Sequence, residues 1–207
     1  MQTGIKANQS ASLPEHPERA TLEGKNKVLG VWFFLGGETV LFASFFGTFL
    51  ALRDGTANGP SGAELFSLPL VFIMTMLLLT SSLTSVLAVW AMQSNEYRKM
   101  QRWLTLTVLL GFGFLAFEIF EFVEYAHQGL RFSTSAFSSA FYTLVGCHGA
   151  HVTFGLIWII LLQLQGMKKG INLTTAPKYY VASLYWHFID VVWVFIFTVV
   201  YLMGKVG

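Results

Sequence analysis

The sequence predicts an all-α, polytopic membrane protein folded as a bundle of five transmembrane helices. Of its 207 residues 54% are apolar and only 12% are charged, whereas soluble domains carry about 25% charged residues. Five apolar runs reach about 20 residues, the length that a helix needs to cross the hydrocarbon of a bilayer. No stretch shows the apolar and polar alternation over about ten residues that membrane barrel strands have. Helices are therefore the fold that satisfies the backbone in lipid.

Each predicted span is a long apolar run between polar segments. The spans are, approximately, 28–52, 66–92, 103–123, 137–163 and 180–203. Together they form one membrane domain, 28–203. Residues 1–27 contain acids, basic residues and prolines without the apolar core of a signal peptide, so we expect them to form a polar cytoplasmic tail.

The distribution of basic residues predicts the orientation of the bundle. Ten of the 13 Lys and Arg residues lie in the tail and in the loops after the second and fourth spans. The other three are Arg53, Arg131 and Lys205. Because basic segments remain on the cytoplasmic side, we expect the N-terminus in the cytoplasm and the C-terminus outside.

Charge and cysteine content exclude several classes of function. A formal net charge of +2 with scattered basic residues is not the footprint of a nucleic-acid-binding protein. The single cysteine, Cys147, can form neither an internal disulfide nor a cysteine-based zinc site. An aromatic content of 16% is far above that of disordered chains.

Ionisable side chains within the spans are the candidate functional residues. They are Glu38, Glu118, Glu121, His148, His151, His187 and Asp190. A charge at mid-membrane costs at least about 2.5–3.5 kcal/mol on insertion scales, so such groups normally face protein or trapped water. All except the first form pairs three residues apart, which places both members of a pair on one face of a helix.

Depth along each helix predicts two polar clusters. At about 1.5 Å per residue from the cytoplasmic end of each span, the glutamates of the third span lie roughly 22–27 Å deep and the histidines of the fourth roughly 20–24 Å deep. We expect hydrogen bonds between these two pairs. Glu38 and Asp190 lie near 15 Å and His187 near 10 Å, which predicts a second cluster in the inner half.

The favoured interpretation of these clusters is structural, as hydrogen bonds between helices that gain little from hydrophobic burial in lipid. A carboxylate-bridged di-iron site needs Glu-x-x-His on two helices, and no pair among the seven candidates has that order. A haem needs axial histidines at facing positions. A proton-coupled carrier would use such groups, but the duplicated broken helices of many carriers are missing.

Other residues are interpreted as packing and anchoring positions. Small residues that let helices approach are Gly36, Gly37, Ala43 and Gly47 in the first span and Gly146, Gly149, Ala150 and Gly155 in the fourth. The hydroxyl groups of Thr80–Ser85 are expected to bond neighbouring helices or their own backbone. The predicted interfacial anchors are Trp32, Trp90, Trp103 and Trp186.

Four motifs together resemble a known family. They are Trp32–Glu38 in the first span, Glu118–Phe122 in the third, Gly146–Val152 in the fourth and Tyr185–Trp193 in the fifth. In this order, and over most of the chain, they resemble subunit III of the haem-copper oxidases. The longer members of that family have seven helices, so this chain resembles the shorter bacterial members.

The resemblance implies a non-catalytic subunit of a proton-pumping terminal oxidase in a bacterial cell membrane. The chain would bind no metal; haem and copper are expected on subunits I and II, and phospholipid is a possible ligand. It would pack directly against subunit I, in a complex with subunits II and IV, and support stability and proton uptake. By the same resemblance Glu121 matches the family's buried glutamate, and His148 and His151 match its paired histidines.

Two alternatives remain open at this point. Both cytochrome c oxidases and quinol oxidases have a five-helix subunit III with these motifs, and we favour cytochrome c as the electron donor. A proton-coupled membrane carrier is the more distant alternative.

Overall fold

The computed structural model describes residues 14–57 and 66–206. Its long helices are α1 (Leu22–Leu52), α2 (Leu68–Gln93), α3 (Tyr97–His127), α4 (Ala136–Lys169) and α5 (Ala176–Ile196). The last continues through a π-helical turn, Phe197–Leu202, into the short helix α6, Met203–Val206. Five helices are long and apolar enough to cross a membrane, which confirms the predicted fold class. Residues 1–13 of the predicted tail lie outside the described residues.

Four of the long helices extend four to six residues beyond their predicted apolar runs at one end or both, whereas α2 begins at Leu68, two residues inside its run. α1 begins at Leu22, where the preceding Thr21 hydroxyl accepts a hydrogen bond of 3.0 Å from the N–H of Gly24. α4 begins at a capping box formed by Ser135 and Ser138. Four of the five predicted spans are thus the apolar parts of longer helices.

The end of the predicted tail packs against the bundle. Residues Pro17–Arg19 form a 3₁₀ turn in which Glu18 is buried. The Arg19 guanidinium donates a hydrogen bond of 3.0 Å to the hydroxyl of Tyr180 in α5. This contact holds the start of α1 beside the start of α5.

α5 is the central helix of the bundle and α1 is the most peripheral. α5 packs against α1, α2 and α4, and its Trp186 and Trp193 are fully buried. α2 and α3 form a hairpin whose tight turn holds Asn95 at φ +57°, a conformation that asparagine tolerates. α1 packs on α4 and α5 and has the smallest buried share of the five helices.

Close helix packing occurs at Gly149 and Gly155 of α4 but not at the glycines that were predicted to pack closely in the first span. A Cβ atom placed on Gly155 would lie 3.1 Å from the Trp186 ring, and one on Gly149 would lie 2.5 Å from a carboxyl oxygen of Glu118. These contacts agree with the prediction for the fourth span. Contrary to the prediction for the first span, a Cβ atom placed on any of its three glycines would meet no atom of the described residues within 4 Å; they are Gly36, Gly37 and Gly47.

Candidate functional site

Glu121 of α3 is fully buried, and both of its carboxyl oxygens accept hydrogen bonds. The Tyr125 hydroxyl, one turn further along α3, donates to Oε1 at 2.7 Å. The Tyr201 hydroxyl, from the π-helical turn after α5, donates to Oε2 at 2.7 Å. The carboxyl group therefore ties α3 to the end of the last transmembrane helix.

Glu118 and His148 are buried with polar atoms that lack partners. The Glu118 carboxyl group lies against Gly149, and its Oε1 has no hydrogen-bond partner among the described residues. Neither ring nitrogen of His148 has a hydrogen-bond partner among the described residues. The imidazole packs on Phe114 and Trp193, with ring centroids 5.8 Å and 5.2 Å away.

His151 of α4 pairs with Glu38 of α1. Its Nε2 lies 3.0 Å from Oε2 of Glu38, and its Nδ1 lies 2.7 Å from the carbonyl oxygen of Cys147. Because a carbonyl can only accept, Nδ1 carries a proton. The contact at Nε2 then needs a second proton, on either the imidazole or the carboxyl group. With exposures of 20% for the imidazole and 17% for the carboxyl side chain, the pair lies at the edge of the bundle.

His187 belongs to a chain of hydroxyl groups between α2 and α5. Its Nδ1 lies 2.6 Å from Oγ of Ser82 and its Nε2 lies 3.3 Å from Oγ of Ser183. Ser183 is in turn hydrogen-bonded to Ser85 at 2.7 Å. Asp190 is buried nearby on α5, and neither of its carboxyl oxygens has a hydrogen-bond partner in residues the structure describes.

These hydrogen bonds correct the predicted pairing. We expected the glutamates of α3 to bond the histidines of α4, and Glu38 to lie with Asp190 and His187. Instead, His151 bonds Glu38, and the α3 glutamates are bonded by tyrosines or lack a partner. Depth does not explain the difference, because α1, α3, α4 and α5 each extend four to six residues beyond the end of the apolar run from which depth was counted, which moves all of these groups by a similar amount, about 6–9 Å. The partner of each group depends instead on the direction in which its helix face points.

Trp186 is not an interfacial anchor, contrary to the prediction. It is fully buried, and its Nε1 donates a hydrogen bond of 3.0 Å to Oγ of Ser81 in α2. It lies near the start of the predicted span, but α5 begins at Ala176, so this indole lies well inside the helix. Trp32 and Trp90 are 57% and 61% exposed, and their anchoring role stays a prediction. Trp103 is half-buried, and its role is equally untested.

Hydroxyl groups of α2 bond neighbouring helices, as the sequence suggested. Besides the serines already described, Oγ1 of Thr84 lies 2.7 Å from Oγ1 of Thr107 in α3. Sequence reasoning missed Thr75, whose hydroxyl accepts a bond of 3.0 Å from Nε1 of Trp193. It also missed the two tyrosines at Glu121. The one available signal was Tyr125, four residues after a glutamate in a helix.

The arrangement offers no metal centre within the described residues: no group of three or more His, Cys, Asp or Glu side chains there could hold an ion. Residues 12–205 match the family model described as cytochrome c oxidase subunit III. The chain belongs to the cytochrome c oxidase subunit III family. This confirms the resemblance inferred from the four motifs. It also makes the chain a non-catalytic, multi-pass membrane subunit of a bacterial respiratory oxidase, in a family that generally lacks metal centres.

Relatives in this family match almost the whole chain. Cytochrome c oxidase subunit 3 of Alkalihalophilus pseudofirmus is 69% identical over 199 residues, covering 96% of this chain and 97% of the relative. The protein of that name from Bacillus subtilis is 65% identical and covers 95% of both chains. Quinol oxidase subunit 3 of Bacillus subtilis is 50% identical over 89% of this chain and 90% of its own length.

Proposed function

We propose that this chain is subunit III of a bacterial cytochrome c oxidase, packed directly against subunit I in a complex that also holds subunits II and IV. The observation that carries the proposal is the identity of 65–69%, over nearly the full length, to proteins named cytochrome c oxidase subunit 3. The corresponding quinol oxidase subunits are 45–50% identical. The higher sequence identity to the cytochrome c oxidase subunits favours cytochrome c as the electron donor to the assembly.

The exposed side of α1 is the surface that we assign to subunit I. The Glu38–His151 pair is partly exposed at mid-helix, and lipid is a poor environment for such a pair. The open space beside Gly36, Gly37 and Gly47 would let another helix approach closely. These glycines lie about 100–180° around α1 from Glu38, so a neighbouring subunit would need to cover the glycine side of α1 and extend round to the pair to account for both features.

The redox chemistry belongs to the neighbouring subunits in this proposal. Haem and copper lie on subunits I and II, and this chain supports the stability of subunit I and its proton uptake. Its N-terminus faces the cytoplasm, as the distribution of basic residues indicates. Phospholipid is bound within the assembly.

Purification through a tag on this chain tests the proposal. We expect haem and copper to co-purify and the complex to oxidise reduced cytochrome c. If the complex oxidised quinol and not cytochrome c, the chain would instead be assigned to a quinol oxidase. A haem-free preparation that transports a solute in vesicles would overturn the assignment and favour a carrier.

A second experiment tests the α1 surface. Gly37→Phe places a bulky side chain in the space assigned to subunit I, so we expect the amount of chain retained per haem to fall. Leu109→Phe, at a position of α3 that is 62% exposed, is the matched control and should leave retention unchanged. Equal retention in both variants would contradict this surface assignment.

A further inference from the structure

The segment before α1 folds over the end of the bundle at which α1 and α5 begin; we call residues 16–20 the strap. Its centre is the 3₁₀ turn Pro17–Arg19, closed by a hydrogen bond of 3.1 Å from the N–H of Arg19 to the carbonyl oxygen of His16. Pro17 fixes φ at the start of this turn, and Thr21 caps α1 directly after the strap. Two local signals therefore give the strap a defined shape.

The strap lies so close to α1 that no side chain fits between them. A Cβ atom placed on Gly24, in the first turn of α1, would overlap the carbonyl oxygen of Glu18 and lie 3.2 Å from Cγ of Pro177 in α5. Glycine permits this close approach of backbone. Pro17 and Glu18 are both buried in the contact.

The strap joins α1 to two other helices. α1 has the smallest buried share of the five long helices and packs on α4 and α5. The Arg19 guanidinium lies 5.5 Å from the ring centroid of Tyr180 in α5 and donates to its hydroxyl. The Gln93 amide, at the end of α2, lies 3.4 Å from Oε1 of Glu18. At the start of α1 the strap therefore holds α1, α2 and α5 together.

The closed strap buries a polar group that is poorly satisfied. Oε2 of Glu18 is buried and has no hydrogen-bond partner within the described part of the chain. The contacts of Oε1 are long, and one of them, at 3.4 Å, is with Nδ1 of His16, whose side chain is 65% exposed. A buried oxygen without a donor offsets part of the stabilisation that burial provides. A single side chain can therefore shift the balance between the open and the closed strap.

We propose that the strap is a conformational device: when closed it fixes the start of α1 against α2 and α5, and when it opens it releases the first turns of α1. Terminal segments open locally at a free energy well below that of global unfolding. Because α1 carries the surface that we assign to subunit I, an open strap should also weaken retention of this chain in the complex. That last consequence rests on the proposed function.

Trypsin measures the open fraction of the strap in the purified complex. Cleavage after Arg19, followed by mass spectrometry, requires an open strap, and its rate follows the open population when reclosing is fast. Gly24→Ala sets a methyl group against Glu18, so we expect cleavage to be at least about fivefold faster. Gly30→Ala is the matched control on α1, because its Cβ would meet no described atom within 4 Å, and it should change the rate by less than about twofold.

A variant with the opposite effect keeps the test open if the Gly24→Ala chain does not assemble. Glu18→Gln replaces the acid by a neutral group of the same shape that costs less to bury, so cleavage after Arg19 should be about fivefold slower. Faster cleavage in Glu18→Gln, or equal rates in Gly24→Ala and Gly30→Ala, would overturn the proposal.

Hydrogen exchange tests the release of α1. We expect the amides of residues 22–29 to exchange at least about fivefold faster in Gly24→Ala, with those of α4 unchanged. Alanine is the better helix former, so an effect on α1 alone would slow exchange, as Gly30→Ala should. Equal or slower exchange in Gly24→Ala would overturn the release. The amount of chain per haem is measured on the same samples: unchanged retention with faster cleavage would overturn the link to subunit I and not the strap.

Discussion

Replacing Gly149 of α4 by alanine should destabilise the bundle although alanine is the better helix former. A Cβ at this position would lie 2.5–2.8 Å from three atoms of the Glu118 carboxyl group. Ordinary Cβ contacts lie at 3.4–4 Å. Glu118 is only 4% exposed, so its carboxyl group cannot swing into open space to relieve the overlap.

The expected magnitude follows from two opposing effects. Overpacking of a buried site costs about 1–3 kcal/mol, and three close atoms place this site in the upper part of that range. Alanine gains about 1 kcal/mol over glycine in a helix. We therefore expect Gly149→Ala to lower the free energy of unfolding by about 1–2 kcal/mol, or roughly 2–8 °C in melting temperature for a chain of this size.

The assay is heat treatment of the purified complex in detergent, followed by repurification through a tag on subunit I. The temperature at which half of the chain is lost reports its stability in place. Gly146→Ala is the matched control on the same helix, because its Cβ would meet Phe122 at an ordinary 3.8 Å. It should retain or slightly exceed the stability of the unmodified chain.

The Glu118→Ala background identifies the cause. Without the carboxyl group the overlap disappears, so Gly149→Ala should then cost nothing or stabilise. An equal loss in both backgrounds, or a single Gly149→Ala variant as stable as the Gly146→Ala control, would refute the reasoning.

Three further predictions follow from the same contacts. Tyr201→Phe leaves a buried oxygen of Glu121 without a donor, so it should lower the stability measured in the heat-retention assay by about 1–3 kcal/mol. The control is Tyr180→Phe, which removes a hydroxyl group bonded to an exposed arginine and should change stability by less than about 0.5 kcal/mol. Trp186→Phe opens space in the core and removes the hydrogen-bond donor to α2, so it should lower stability by at least about 1 kcal/mol. Trp90→Phe, at an exposed position, should not lower it. Equal effects of the two changes would contradict the placement of Trp186 in the core. Stripping this chain from the complex with detergent should leave haem and copper on the remaining subunits, and metal analysis of the released chain showing stoichiometric iron or copper would contradict the proposed division of roles.

Helix number and content could be predicted from the sequence because bilayer thickness fixes the length of an apolar run. The partner of each polar group could not, because it depends on rotation about the helix axis. Glu38 illustrates this, since the rotation of α1 directs it towards His151 rather than Asp190.

The tyrosines at Glu121 show a second limit. Tyr125 could have been found from its spacing, since residues four apart share a helix face. Tyr201 could not, because it reaches the carboxyl group from a π-helical turn, and the sequence shows no local signal for such a turn. Trp186 was misplaced for a related reason: an indole near a predicted span end can face either the interface or the core, and only packing decides.

The exposure of each polar group distinguishes groups that bond only within this chain from groups that we expect to contact a neighbouring subunit. Glu121 is fully enclosed and bonded on both oxygens within the chain, so removing a neighbouring subunit should leave its environment unchanged. The Glu38–His151 pair is partly exposed at the edge of the bundle, where its polar surroundings depend on what covers α1. Dissociation of subunit I should therefore alter the infrared carboxyl band of Glu38 and not that of Glu121. Glu38→Gln identifies the first band, and a shift in both bands would contradict this separation.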